Sequence, residues 1–469
     1  MALISEISAT ALRTPQLRFD SEYFLPDRIG AGALVDSFLR KTRLSSLCDK
    51  ITQGSNPSFR DSGFPCLNGK NIRFGSASTG EPNYVSETEF FRLKPYRLRD
   101  GDIVITLKHA TKIGRAWIIE DNPPRIFARN VGLIRLRRDT PLSAPSLLFY
   151  LWSDVGQKLL DRFSTGGTSG QITLATSYLR RMWVPLFREI DQRTLNGFFD
   201  IYQATIKRSN ELYASAQRML EEELGLGKID LSHRVGYETR LSETLQARRC
   251  DSEFYRPKYQ RVIDAVLKAK KVRIQRFVPI GQIISYLTNG HTPLHHDLGV
   301  GEIPFLTAEH VSDFRLDFGT DKRILRRHHE TELARTRLRD GDVLVTIKGK
   351  VGNCAVVRDC PDAANINQDV ALIRPRNGVH PYFFAAWFNS LIGKQLVEQR
   401  STGGINPFLG LGNLRGMPFP VLEPREHSRI GDLVQESVEN AYAAERQATN
   451  LLEQAKCRVE ELIEQNTAA

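Results

Sequence analysis

Arg97-Leu-Arg-Asp-Gly-Asp-Ile-Val-Ile-Thr-Leu-Lys108 is written a second time as Arg337-Leu-Arg-Asp-Gly-Asp-Val-Leu-Val-Thr-Ile-Lys348. Every mismatch between the two exchanges one aliphatic residue for another. Further matched blocks lie outward on both sides. Arg18-Phe-Asp-Ser-Glu-Tyr-Phe-Leu-Pro26 corresponds to Arg249-Cys-Asp-Ser-Glu-Phe-Tyr-Arg-Pro257, and Thr52-Gln-Gly-Ser-Asn-Pro57 to Thr288-Asn-Gly-His-Thr-Pro293. Asn130-Val-Gly-Leu-Ile-Arg135 corresponds to Asp369-Val-Ala-Leu-Ile-Arg374, and Ser164-Thr-Gly-Gly167 to Ser401-Thr-Gly-Gly404. The separation stays between 231 residues (Arg18 to Arg249) and 240 residues (Arg97 to Arg337). Ordered blocks at a near-constant offset mark a tandem duplication, so each half is expected to fold as the same unit.

The halves share an internal grammar. A short amphipathic helix opens each; in the second half Tyr259, Val262, Ile263, Val266 and Leu267 fall on one face. Asp100-Gly101 and Asp340-Gly341 are turn dipeptides leading into aliphatic strands at Ile103–Leu107 and Val343–Ile347. Helical stretches at Ser146–Phe163 and Tyr382–Gln399 follow, then the Pro-ended strands Trp183-Val-Pro185 and Pro418-Phe-Pro420. One long helix closes each half. Leu195, Phe199, Tyr202, Ile206, Ser209, Tyr213, Ala216 and Leu220 repeat at spacings of four and three. So do Val434, Val438, Ala441, Glu445, Ala448, Leu452, Ala455, Val459 and Leu462. That is a heptad seam, and the alanines would let a partner helix approach closely.

The fold class expected is α+β: two tandem-duplicated α/β modules joined by two long antiparallel coiled-coil helices, in a pseudo-two-fold arrangement. The modules would span 1–188 and 249–422, the helices 189–226 and 423–469, with a linker at 227–248. A seam of about 27 residues is roughly 40 Å long at 1.5 Å per residue. One turn of B-DNA is about 34–36 Å, so modules that far apart would suit half-sites about one turn apart.

At 469 residues the chain has room for about two to four domains. Its net charge of +11 favours an acidic partner, of which nucleic acid is the commonest. The six cysteines form no CxxC pair, which fits a reducing compartment. No stretch approaches the roughly 20 apolar residues of a membrane span, so a cytoplasmic protein with no membrane partner is expected. Catalytic motifs are missing. Gly69-Lys70, Gly349-Lys350 and Gly393-Lys394 lack the Ser or Thr of a phosphate loop. Asn122-Pro-Pro-Arg125 puts Arg where an amino-methyltransferase needs an aromatic ring. The glycines of Leu224-Gly-Leu-Gly227 and Leu409-Gly-Leu-Gly412 lack the strand–turn–helix context of a cofactor loop. His291, His295 and His296 have no completing ligands. The expectation is a non-enzyme with no catalytic residue, no metal and no cofactor of its own.

Together the ordered blocks, from about Arg18 to Leu462, resemble the specificity subunit of type I restriction–modification systems. Those that carry the resemblance are the Gln/Asn-Gly-x-x-Pro entry, the Arg-Asp-Gly-Asp-aliphatic strand, the Ser-Thr-Gly-Gly loop, and the Pro-ended strand before a long helix. The resemblance implies two target-recognition domains that read a bipartite site in double-stranded DNA. It also implies docking of two methyltransferase subunits, with or without translocase–nuclease restriction subunits. S-adenosylmethionine, and ATP with Mg where restriction subunits are present, would sit on those partners. The family usually opens its long helix with Pro-Pro-Leu-x-Glu-Gln. Here Phe187-Arg-Glu-Ile-Asp-Gln192 and Glu423-Pro-Arg-Glu-His427 depart from it, leaving open a less usual methylation-linked phage-defence system. A protein-only assembly scaffold is the remaining alternative.

Duplicated modules should match where they fold and differ where they read. The identical Asp100, Gly101, Asp340 and Gly341 are therefore assigned to structure. The divergent segments are Ser55–Arg60 against His291–His295, Lys108–Arg115 against Lys348–Asn353, and Thr168–Thr173 against Ile405–Phe408. Their polar side chains suit base edges and phosphates. In the first half the expected DNA contacts are Gln53, Ser55, Asn56, Arg60, Lys70, Asn71, Lys108, Lys112, Arg115 and Gln171. The glycine loop Ser164, Thr165, Gly166, Gly167, Thr168 and Ser169 is added as a phosphate nest. In the second half they are Asn289, His291, Thr292, His295, His310, Lys348, Lys350 and Asn353, with Ser401, Thr402, Gly403, Gly404 and Asn406.

Overall fold

A computed structural model of the chain describes residues 21–72, 83–109, 112–120, 124–166, 171–232, 236–247, 249–293, 301–320, 322–404 and 406–467. The fold is α+β. Its contacts divide into two units, Met1–Thr205 with Arg446–Ala469, and Ile206–Glu445. The division falls inside both long helices, so each unit holds part of each, unlike boundaries drawn at the helix ends.

In the first unit a four-stranded antiparallel sheet runs in the order Cys48–Gln53, Val131–Leu136, Ile103–Thr106, Ala116–Ile118. A three-stranded sheet orders Asn83–Val85, Phe64–Leu67 and Ile126–Phe127, the last two parallel. Lys41–Arg43 pairs with Trp183–Pro185. The second unit repeats this. Its four-stranded sheet is Ile284–Asn289, Val370–Pro375, Val343–Thr346, Cys354–Val356. Its three-stranded sheet is Arg323–Ile324, Ile303–Leu306, Asn365–Ile366, again with a parallel pair, and Arg276–Pro279 joins Pro418–Val421. Even the register irregularity recurs, between Cys48 and Lys50 and between Ile284 and Tyr286.

The repeated Arg-Asp-Gly-Asp block is a structural device. Asp102 N–H donates to Arg99 O (3.1 Å) and Asp342 N–H to Arg339 O (3.1 Å), closing tight turns. Gly101 and Gly341 hold φ of +80° and +87°, as the third position of a type II turn requires. The second Asp then collects cations and amides. Asp102 accepts from Arg99 N–H (2.7 Å) and from the Arg135 guanidinium twice (2.7 and 2.6 Å). Asp342 accepts from Arg339 N–H (3.0 Å) and from Arg374 (2.8 and 3.2 Å). Two blocks that match in sequence are thus joined by one bidentate ion pair in each module. The strands after the turns are buried at every residue, as a sheet covered on both faces demands.

The long helices are Glu189–Leu224 and Pro424–Gln465. Within the second unit they run antiparallel. Ser209 Oγ donates to Ala441 O (2.9 Å), Ser437 Oγ to Leu212 O (3.0 Å), and Arg429 pairs with Glu223 (2.8 Å). Within the first unit Arg458, near the end of the second helix, pairs with Asp191 near the start of the first (3.1 Å). Leu195, Phe199, Tyr202, Ser209, Tyr213, Ala216 and Leu220 are buried, as are Val434, Val438, Ala441, Ala448, Leu452, Ala455, Val459 and Leu462. Ile206 and Glu445 are half-buried. The seam also serves the modules. Trp117 packs on Phe199 (5.6 Å) and Tyr202 (5.7 Å) in the first unit. Tyr213, Ala216 and Leu220 share one core with Val262, Phe384, Trp387 and Val434 in the second. The segment read as a linker contains a short helix, Leu241–Ala247.

Each long helix is fastened at its start, where the family motif is altered. Ser143 N–H donates to Gln192 Oε1 (2.7 Å) at the N-terminus of helix Ala144–Trp152. His380 N–H donates to His427 Nε2 (2.9 Å) at the N-terminus of helix Pro381–Asn389. Burial, with His380 close by, pulls the His427 pKa down to about 4. The folded protein therefore keeps this ring neutral while an unfolded one titrates near 6.5. As pH falls from 6.5 towards 4 only the unfolded chain gains the proton. Stability held above 6.5 should drop by roughly 2–3 kcal/mol over that window and level off below it. His427→Gln, the first module's own solution, should flatten this part of the profile. Denaturation midpoints of both proteins at pH 7.5 and 4.5 check it; equal losses in both would contradict it.

Candidate nucleic-acid interface

The divergent segments gather at one end of the four-stranded sheet in each module. In the first, Lys108 pairs with Thr173, and Thr173 with Thr165, in a small sheet. Asn56, Pro57 and Phe59 line a groove of about 420 Å³ with Lys108, Arg129 and Asn130, closed by Asn68, Asn83 and Ala128. No carboxylate is among these lining residues. In the second module Lys348 bridges Phe408 and Phe408 bridges Thr402. Thr292 Oγ1 meets Gln368 Oε1, and Lys348 Nζ lies 4.0 Å from Asp369.

Many expected contact residues prove to have structural partners. Gln53 Nε2 donates to Arg129 O (2.6 Å) and Asn289 Nδ2 to Gln368 O (3.2 Å), so both tie the same two loops together. Asn71 and His310 require correction. Asn71 is 1% exposed and its Oδ1 accepts Asn68 N–H (3.0 Å); His310 is 8% exposed and its Nδ1 accepts Thr307 N–H (3.0 Å). The residues differ in type but supply the same acceptor to the same turn, so their divergence reflects capping rather than reading. Asn353 stands where the first module has Arg115, and both ends of its amide are engaged, with Val311 O (3.3 Å) and Lys394 Nζ (3.3 Å). Ser164 Oγ donates to Asp161 O (2.7 Å) and Ser401 Oγ to Val397 O (2.7 Å), fastening each glycine loop to the helix before it. Gly166 and Gly403 have φ of +89° and +87°, so the turn itself accounts for a glycine at each position.

Others face outward. Asn56, Arg60, Lys70, Lys112, Thr165, Gly166 and Gln171 are exposed in the first module, with Lys108 and Arg115 half-buried. His291, Lys348, Lys350, Thr402, Gly403, Gly404 and Asn406 are exposed in the second, with Thr292 half-buried. Ser55 Oγ and Asn130 Oδ1 are buried without a hydrogen-bond partner among the described residues. Gly167, Thr168, Ser169 and His295 lie outside the described residues.

Sequence reasoning missed Arg129, which is exposed on the groove, and its counterpart Gln368, matched through the Gln53 and Asn289 bonds. The signal was present: Arg and Gln stand immediately before a block that otherwise repeats. It also missed the exposed rings of Phe59 and Phe408, because only hydrogen-bonding side chains were sought. The groove offers amides that both donate and accept, cations for phosphate and an apolar ring, the chemistry of base-edge and backbone contact. Among the described residues no group of His, Cys, Asp and Glu could hold a metal ion. No helix among them is long and apolar enough to cross a membrane.

No family model and no curated protein matches the chain. Among solved structures it is similar to the type I restriction–modification system S subunit from M. genitalium, at 12% identity and TM-score 0.38 over 92% of this chain and 96% of that one. It is also similar to the HsdS subunit from Thermoanaerobacter tengcongensis, at 13% identity and TM-score 0.28 over 90% and 96%. A third similar chain, from a structure described as the basis of assembly and conformational transition of the type I R-M system, gives 14% identity and TM-score 0.31 over 90% and 97%.

Proposed function

We propose that the chain is a non-catalytic, sequence-specific DNA-binding subunit of a type I restriction–modification complex. Each module is a target-recognition domain for one half of a bipartite duplex site, and the long helices form the coiled coil that joins them. The observation that carries this reading is a repeated scaffold with divergent tips. The same sheets, turns and ion pairs recur, while Asn56, Lys108 and Arg129 give way to Thr292, Lys348 and Gln368. A rigid frame that varies at its loops suits recognition of two different half-sites. The net charge of +11 supports a polyanionic partner. Two methyltransferase subunits, with or without restriction subunits, are the partners this reading assigns, and they carry the cofactors. The altered starts of the long helices favour a second reading that keeps the DNA role within a less usual methylation-linked defence system.

Selection of bound sequences by the full chain from a random duplex library tests the proposal. Two separated sequence elements should be enriched. Recovery of unenriched DNA would instead favour a protein-only scaffold. Lys108→Ala and Lys348→Ala should each weaken binding to all sequences alike. Each should also lower the slope of log K against log salt by about 0.9, as loss of one phosphate contact requires. An unchanged slope would remove those lysines from the interface.

A further inference from the structure

Each module presents one large apolar ring on its reading face. Phe59 is 49% exposed on the wall of the groove that also holds Asn56 and Lys108. Phe408 is 37% exposed, 5.5 Å from Lys348 Nζ. Lys108 and Lys348 are equivalent, each donating its backbone N–H to the residue before its module's last central strand, Asn130 O and Asp369 O (3.3 Å each). The rings come from different loops. Phe59 follows the first strand of the four-stranded sheet, whereas Phe408 lies beyond the glycine loop, where the first module has Thr173. Each travels with an exposed asparagine close in sequence, Asn56 or Asn406.

Neither ring hangs on a loose tip. Ser58 N–H donates to Glu89 Oε1 (3.4 Å) and Arg60 N–H to Tyr84 O (2.8 Å) on either side of Phe59. Phe408 N–H donates to Thr402 O (2.8 Å), Thr402 N–H returns to Phe408 O (2.9 Å), and Leu409 N–H reaches Ile347 O (3.0 Å). A backbone fixed on both sides of an outward apolar side chain has already lost the entropy that binding would cost.

In the major groove of a duplex the apolar group a base pair displays is the thymine C5-methyl, and its partner adenine shows the N6/N7 pair that an asparagine amide matches. An A·T pair therefore answers both members of each Asn–Phe set, with the adjacent lysine on phosphate. Building on the proposed DNA role, we infer that Phe59 and Phe408 are specificity-determining residues. Each packs on the thymine methyl of one A·T pair in its half-site, while Asn56 or Asn406 takes the adenine edge.

The test uses the full chain and the duplex selected above. Each half-site should contain an A·T pair at which replacing thymine by uracil, which removes only the methyl, weakens wild-type binding about fourfold, the worth of one buried carbon. Phe59→Ala should abolish the uracil effect in one half-site and Phe408→Ala in the other. Phe59→Leu and Phe408→Leu should restore it, and circular dichroism should match wild type because both rings lie outside the core. Half-sites with no A·T pair, or a uracil penalty unchanged in the alanine variants, would overturn the inference while leaving the DNA role intact. Failure to enrich any sequence would remove that role and this inference together.

Discussion

Asp102→Ala is expected to destabilise the first module by about 3–5 kcal/mol, whereas Asp100→Ala, two residues away, should change stability by no more than about 0.5 kcal/mol. The two carboxylates belong to the same repeated block and look alike in sequence. Asp102 is 2% exposed and holds Arg135, whose side chain is 16% exposed, by two bonds of 2.7 and 2.6 Å. Removing it strands a largely buried guanidinium and opens the turn at Arg99. Asp100 is exposed. Arg135→Ala should be comparably damaging because it leaves the buried carboxylate uncompensated, and the double variant should cost less than the two singles summed. Denaturation midpoints of the four proteins measure this. Equal effects of Asp100→Ala and Asp102→Ala would refute the assignment.

Gly290→Ala should be nearly as severe, at about 3 kcal/mol. A methyl built there would lie 1.8 Å from Ile366 O and 2.5 Å from Asn367 O. Both are backbone atoms in a strand pairing and its loop, so no side chain can swing aside. The chain must instead part the entry loop from the loop at Gln368, breaking Gly290 N–H to Asn367 O (3.1 Å). Because these loops carry Thr292 and Gln368, sequence preference should be lost in the second half-site and retained in the first. Gly412→Ala is the control. Nothing lies within 4 Å of its added methyl, and alanine in the helix Leu411–Arg415 should be neutral or slightly stabilising. A stable Gly290→Ala protein with both half-sites intact would contradict the close approach.

Much of the fold was legible because duplication turns one sequence into two readings of the same unit. The aliphatic runs, the Asp-Gly turns and the helix seams were visible as periodicity. What stayed hidden was pairing at a distance. Asp102 finds Arg135 across 33 residues, and only the three-dimensional sheet shows that two repeated blocks meet. The seam was read as a choice between helix pairing and module packing, yet Phe199 and Tyr213 belong to cores that need both. The candidate site was less legible. Divergence between the halves flagged Asn56 and Lys108 at the groove, but it also flagged Asn71 and His310, where unlike residues supply the same buried acceptor. The converse error hid Arg129 and Gln368, which stand at the edge of a block assigned wholly to structure.

The central claim is that this chain chooses the sequence at which partner enzymes act. A genome-wide map of DNA base modification in the native host, with and without this gene, tests it most directly. A split motif should lose its methylation in the deletion and regain it on complementation. The Gly290→Ala chain should fail to restore the second half of that motif. An unchanged modification map in the deletion would contradict the account.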